Sequence, residues 1–238
     1  MKGKIAKSQQ TLDNTKLINI IEKGIVIIMA MNGALWMTNH EGKMKGIHSI
    51  GTSCAYNPYC IKRRENGDSV CAHCYAVTYM KMRKSLKKRL AENAEILTTR
   101  LLQGREIPVT NDLVFRFESF GDLYNETHLH NYAIICEKNP HTNFGLWTKN
   151  TWILDGLFNK QGIEKPDNLS IVVSSPMLNK QMNINRDKFW MVDHIFTVYD
   201  KPFIAANNVN VNCGARNCFE CQLCYRKDTE FYVREELK

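Results

Sequence analysis

The chain is 238 residues long, and eight of its nine cysteines fall into two groups of four near opposite ends. The first reads Cys54-Ala-Tyr-Asn-Pro-Tyr-Cys60, then a polar loop through Arg63, Arg64, Asn66 and Gly67, then Cys71-Ala-His-Cys74. The second reads Cys213-Gly-Ala-Arg-Asn-Cys218-Phe-Glu-Cys221-Gln-Leu-Cys224. A two-residue gap lets neighbouring thiolates converge on one centre while the N–H groups of the tight turn point at the sulfurs. Structural zinc uses two separated Cys-x-x-Cys pairs, whereas Cys218, Cys221 and Cys224 bring three thiolates to one side, as cubane ligation requires. The spacing predicts one or two [4Fe–4S] clusters on Cys54, Cys60, Cys71, Cys74, Cys213, Cys218, Cys221 and Cys224. Zn2+ is the alternative occupant of each group. Cys136 lies in a helical stretch beside Tyr132, Ala133 and Ile135 and reads as a packing thiol.

These thiols are not needed to hold the fold. A chain of this size with 44% hydrophobic residues buries a core without staples, and an odd cysteine count with tight spacings argues against disulfides. Free thiolates place the protein, as an expectation, in the reducing cytoplasm of a bacterial or phage-infected host cell. No membrane is expected: Ile25 to Met31 is too short to span a bilayer, and no signal peptide is evident. The net charge of +8 favours an anionic partner, either a substrate such as a nucleotide or a nucleic acid. The run Lys81-Met-Arg-Lys-Ser-Leu-Lys-Lys-Arg89 puts cations where a helix start favours acids. It reads as an anion-facing surface or as a solvated face partnered by Glu92 and Glu95. A zinc-binding, non-catalytic nucleic-acid module is the competing reading, with the Arg63–Arg64 loop for phosphates and Tyr56, Tyr59 and Tyr75 for stacking.

Regular elements must position the cysteines. Residues 46–53 read as a first strand, 79–102 as the longest helix with Leu86, Leu90, Asn93, Ala94, Leu97 and Leu101 on one face, and 113–120 as a strand. Then follow a helix over 125–138, a strand over 143–149, a helix over 151–161, and strands over 169–175 and 194–199. This alternation predicts an α/β fold with a parallel sheet curved into a partial or complete (βα) barrel, carrying cysteine-rich insertions near both ends. The organisation expected is an N-terminal extension (1–45) packed on the barrel, a barrel-like domain (46–212) with its cysteine loop at 54–74, and a cysteine-rich segment (213–238). On the strand 113–120 a period of two puts Arg116 and Glu118 on the inner face, as a charged pair that is either structural or functional.

Cys71-Ala-His-Cys74-Tyr-Ala resembles the cluster loop of the radical S-adenosylmethionine superfamily. The residues Ser53-Cys54, Cys60, Cys74-Tyr75-Ala76, Phe115-Arg-Phe-Glu-Ser-Phe-Gly-Asp122-Leu-Tyr124, Asn143-Phe-Gly-Leu-Trp-Thr-Lys149 and the closing Cys-x-x-Cys-x-x-Cys resemble the phage-associated gene-product-88 domain family over residues 46–225. The superfamily resemblance implies a partial TIM barrel and a cubane held by three cysteines, its open iron chelating S-adenosylmethionine. It also implies an electron donor if the protein is redox-active. By the same resemblance the carboxyl end of the strand 113–120 binds the cofactor through Glu118, Ser119, Gly121 and Asp122. Lys149 and Ser174, near the ends of later strands, are further candidates for that mouth or ordinary strand-end polar residues. Arg116, Glu118 and Asp122 are the candidates for catalysis. The chain departs from the superfamily's Cys-x-x-x-Cys-x-x-Cys, because Gly67 stands four before Cys71 and the next cysteine upstream is Cys60. A fourth ligand would close the cluster to S-adenosylmethionine, and the closed site is the expectation.

Overall fold

The computed structural model describes residues 27–29 and 35–237. The remainder of the expected extension, 1–26 and 30–34, lies outside the described residues. Eight strands form one sheet in strict sequence order: β1 (Ile27–Met29), β2 (Trp36–Asn39), β3 (His48–Ile50), β4 (Val114–Phe117), β5 (Asn143–Thr148), β6 (Leu169–Ser174), β7 (His194–Tyr199) and β8 (Tyr232–Glu236). β1, β2 and β3 pair antiparallel, and β3 through β8 are all parallel. The sheet is open, with β1 and β8 as its edges, so the complete barrel is excluded among the described residues. The segment 213–238 is more than a cysteine carrier, because its last strand extends the parallel sheet. No helix among the described residues is long and apolar enough to cross a membrane.

Parallel strands buried on both faces need helices on one side, and the alternation along β4 to β7 shows which side. Phe115, Phe117, Phe144, Leu146, Ile171, Val173 and Ile195 join one core with Leu97 of α3 (Lys84–Thr99) and with Leu129, Tyr132 and Cys136 of α4 (Glu126–Lys138). Phe117 lies sandwiched there, its ring 4.0 Å from that of Tyr132 and 5.0 Å from that of Phe144. Cys136 is a fully buried packing thiol, in agreement with its sequence context. On the opposite, inner face, Val114 packs with Ile47 and Tyr225. Tyr225 comes so close to β5 that a Cβ on Gly145 would stand 2.8 Å from both its ring and that of Trp147. Glycine at 145 is therefore what lets the cysteine-rich segment fold back over the strands.

Three expected elements take a different form in the structure. The strand 113–120 ends at Phe117, because Glu118 takes a left-handed φ of 57° and breaks the alternation. The helix 79–102 is two helices, α2 (Tyr75–Met82) and α3, separated at Arg83, which leaves helical geometry at φ −124° and ψ 79°. The break frees α2 to start at the cysteine loop while α3 buries Leu86, Leu90, Asn93, Ala94 and Leu97. The helix expected over 151–161 begins as α5 (Thr151–Leu154) and continues as a π-helical turn over Asp155–Lys160. The pattern reading missed β1, β2, β8, α1 (Pro58–Arg64), α6 (Lys201–Asn207) and the short helix α7 (Cys218–Cys221). For α1 and α6 a cap was readable, since Asn57 precedes Pro58 and Asp200 precedes Lys201-Pro202.

Candidate metal centre

The first cysteine group is built from the loop after β3 and two short helical starts. The Cys54 N–H donates to the Phe120 carbonyl at 3.0 Å, and Asn57 Nδ2 donates to the Asp122 carbonyl at 2.8 Å, so this loop is laced to the one after β4. Asn57 Oδ1 accepts from the N–H groups of Tyr59 and Cys60, capping α1 and fixing Cys60 in its first turn. Ser69 caps a 3₁₀ turn over Val70–His73 that carries Cys71, and Cys74 is itself the N-cap of α2. Cys54 donates to Cys74, whose thiol is held below its ordinary range by that bond and by the N–H groups of Ala76 and Val77. The same bond, together with burial, pushes Cys54 up, and burial also pushes up Cys60.

The second group is carried by the return segment. The Cys213 N–H donates to the Arg234 carbonyl of β8 at 3.0 Å. Cys218 and Cys221 bound a one-turn helix, α7, capped by Asn217 and ended by Gln222 at φ 52°. Lys43 Nζ donates to Cys213 Sγ at 3.1 Å, to the Cys213 carbonyl at 3.1 Å, and pairs with Glu235 at 2.9 Å. Burial pushes the thiols of Cys213, Cys218 and Cys224 up.

All eight of these cysteines line one cavity of about 470 Å3, bounded by residues that follow β3, β4, β5 and β6 and by β7 and β8. This is the carboxyl end of the parallel strands, where open α/β sheets bind ligands. All nine cysteines are free thiols. The thiols are gathered without being closed on a point: among the described residues no three His, Cys, Asp or Glu side chains stand in metal-holding geometry. The donor chemistry nonetheless fits an anionic thiolate cluster. Each group offers four sulfurs, helix-start N–H groups point at Cys74, and Lys43, Arg64, Arg116 and Lys149 bring positive charge to the same lining.

The other expected site residues are brought to this cavity in different ways. Glu118, Ser119, Gly121, Asp122, Arg116, Lys149 and Ser174 all line it. The expected Arg116–Glu118 pair does not form. The turn at Glu118 sends its carboxylate to Tyr132 Oη (2.5 Å), Thr52 Oγ1 (3.0 Å) and Thr52 N (3.3 Å), with His128 Nε2 3.3 Å away. Arg116 instead lies 3.9 Å over the Trp147 ring. Asp122 is raised by burial, and it accepts from Thr148 Oγ1 (2.5 Å), Leu123 N (2.8 Å) and Lys149 N (3.0 Å). Ser119 Oγ meets Ser49 Oγ at 2.9 Å, and its carbonyl accepts from the Tyr75 hydroxyl. Gly121 sits where a Cβ would collide with Glu118 and Thr52. Sequence reasoning missed Lys43, Trp147 and Tyr225 as parts of this lining; Trp147 stands within the segment 143–149, but no motif marks Lys43 or Tyr225.

The basic run 81–89 is largely consumed within the fold. Arg83 lies over Tyr79 (5.6 Å), Lys87 over Tyr56 (4.7 Å) and Arg89 over Trp36 (4.5 Å), while Lys88 meets Glu92 at 3.9 Å. Arg63 likewise covers Tyr59 at 5.1 Å. Two of the three tyrosines expected to stack on bases are thus faced by the protein's own cations.

His40, beside this site, gives a pH signature. Burial, with Arg116 and His48 nearby, holds it at about 3 against an ordinary 6.5, and its Nε2 lies 2.8 Å from Ser49 Oγ. Between these values the unfolded chain takes up a proton that the folded one refuses, so stability falls as pH falls through that window. The limiting slope is about 1.4 kcal/mol per pH unit. Urea midpoints of wild type and His40→Gln between pH 7 and 4.5 should diverge, the variant losing less on acidification; parallel curves would refute the assignment.

An open, six-stranded parallel arrangement with eight thiols around a cavity at its carboxyl edge defines a thiol-lined α/β protein. Residues 6–230 match the family described as gene product 88, and the chain belongs to that family. No curated protein and no solved structure matches the chain.

Proposed function

We propose that this is an iron–sulfur protein of radical-enzyme ancestry, with Cys54, Cys60, Cys71 and Cys74 holding one [4Fe–4S] cluster and Cys213, Cys218, Cys221 and Cys224 a second. The carrying observation is that two groups about 140 positions apart in sequence, counted from Cys74 to Cys213, face one cavity at the end of the sheet where α/β proteins work. Cysteines kept for packing follow the pattern of Cys136, buried singly among apolar side chains. The six parallel strands in sequence order support the kinship with partial (βα) barrels. When bound, such clusters supply one-electron transfer, and an iron lacking a protein ligand would also chelate S-adenosylmethionine.

The chain's own residues orient and tune. Lys43 neutralises and hydrogen-bonds Cys213, the α2 start stabilises the Cys74 thiolate, and Lys149 stands among Cys60, Cys71 and Cys74 and is itself held above its ordinary range by those thiols and Asp122. Free thiols throughout suit a reducing compartment, which we take to be the cytoplasm of a bacterial or phage-infected cell. Anaerobic purification followed by iron, sulfide and zinc analysis and an absorption spectrum tests the reading. Brown protein with iron and acid-labile sulfide is expected; colourless protein carrying zinc refutes it. Adding S-adenosylmethionine to the reduced protein should leave its electron paramagnetic resonance spectrum unchanged if four cysteines close the first cluster, and a changed spectrum would place an open iron there.

A further inference from the structure

We propose that the cavity between the two cysteine groups takes a small organic molecule bearing a carboxylate or phosphate, with Arg116 recognising the anion. The inference rests on the cavity being the working site. A guanidinium drawn into a protein interior is ordinarily paired with an acid, since leaving it unpaired is costly. Arg116 has no such partner: among the described residues no ion pair reaches it, its Nη1 donates to Met44 Sδ at 3.5 Å, the hydroxyl beside it is that of Tyr225, and one face rests on Trp147. The acids of the same lining are engaged elsewhere, Glu118 by Thr52 and Tyr132, Asp122 by Thr148 and the Lys149 amide, Glu235 by Lys43 and Glu236 by Lys201. Of the other cations in the lining, Lys43 is paired with Glu235, Lys149 stands among Cys60, Cys71, Cys74 and Asp122, and Arg64 acts on Cys54. Arg116 therefore enters the cavity without a carboxylate beside it.

Its remaining walls are largely aromatic and aliphatic, and the space left beside the thiols in a cavity of about 470 Å3 suits a small molecule rather than a polymer. A planar fork stacked on an indole keeps its orientation, so little freedom is lost when it grips two oxygens of one anion. The rival role for Arg116 is neutralising the thiolates of Cys218 and Cys224, which feel its charge.

The test uses anaerobically purified holoprotein, titrated calorimetrically with malonate and, separately, inorganic phosphate, for wild type, Arg116→Gln and Arg116→Lys. Saturable binding of either probe is expected, with phosphate-only and malonate-only outcomes separating the two ligand classes. Affinity should fall about tenfold or more in Arg116→Gln, the loss of a charge-assisted bidentate contact, and less in Arg116→Lys, which retains charge and guards against misfolding of the first variant. Absence of saturable binding overturns the proposal. So does unchanged affinity in Arg116→Gln, or a variant whose only change is in the iron–sulfur absorption. Metal analysis of the same wild-type sample reads the cluster assignment separately, since Arg116-dependent binding by a zinc-loaded protein would sink the clusters and leave the anion site standing.

Discussion

The double variant Cys221→Ala with Cys224→Ala will lose the iron of the second group and keep that of the first. Cys221 and Cys224 sit on α7 and the turn after it, in a segment tied to β8 and to Lys43, while the first group hangs on the loops after β3 and β4. Two lost thiolates leave too few ligands for a cubane, so the loss should be complete rather than graded. The mirror variant, Cys71→Ala with Cys74→Ala, removes the other share at the start of α2. Iron per protein measured anaerobically, with the intensity of the visible absorption, reads both. Wild-type iron in either double variant would show that those thiols are not ligands, and loss of all iron in both would show one shared centre instead of two.

Glu118→Ala should be the most destabilising single change at the strand ends. Its carboxylate is 2% exposed and answers three donors, the Tyr132 hydroxyl and the hydroxyl and amide of Thr52. Removing it leaves the Tyr132 hydroxyl and the Thr52 amide without an acceptor and the Thr52 hydroxyl with only the Asp122 carbonyl at 3.4 Å, at roughly 1–3 kcal/mol for each group stranded. The expected loss is about 4 kcal/mol, a large part of the stability of a typical domain. Tyr132→Phe removes one donor and keeps the carboxylate bonded to Thr52, so it should cost about 1 kcal/mol plus whatever packing shifts. Urea unfolding of both variants checks the ranking. A Glu118→Ala protein as stable as Tyr132→Phe would mean that this carboxylate does not hold the strand ends together, returning it to the list of groups available to a ligand.

How far the fold could be read in advance followed how local its causes are. β5, β6 and β7 were found almost residue for residue, because buried parallel strands write continuous β-branched and aromatic runs. The Asn125 cap and apolar spacing of α4 were equally plain. α3 was merged with α2 because the apolar rhythm passes through Arg83 without a Gly or Pro to mark the break. β8, Tyr232–Glu236, was missed because its charged residues hide a strand whose only buried side chain is Val233. The inner face of β4 was correct for Arg116 and wrong for Glu118, since alternation holds only while the backbone stays extended and Glu118 does not.

The chemistry divides in the same way. Thiol spacing is a property of a few consecutive residues, so the amino-acid sequence alone determined that two sets of four cysteines exist, and that Cys136 belongs to neither. Whether those sets meet depends on the order of strands, on the return of residues 213–225 across the inner face past Gly145, and on the lacing of Asn57 to Asp122. These contacts join residues from 65 to 170 positions apart, such as Asn57 with Asp122 and Lys43 with Cys213. No local periodicity encodes them, because packing free energy is summed over the whole sheet. Tertiary structure alone decided that both thiol groups share one cavity, and that Arg116 faces it with no acid beside it.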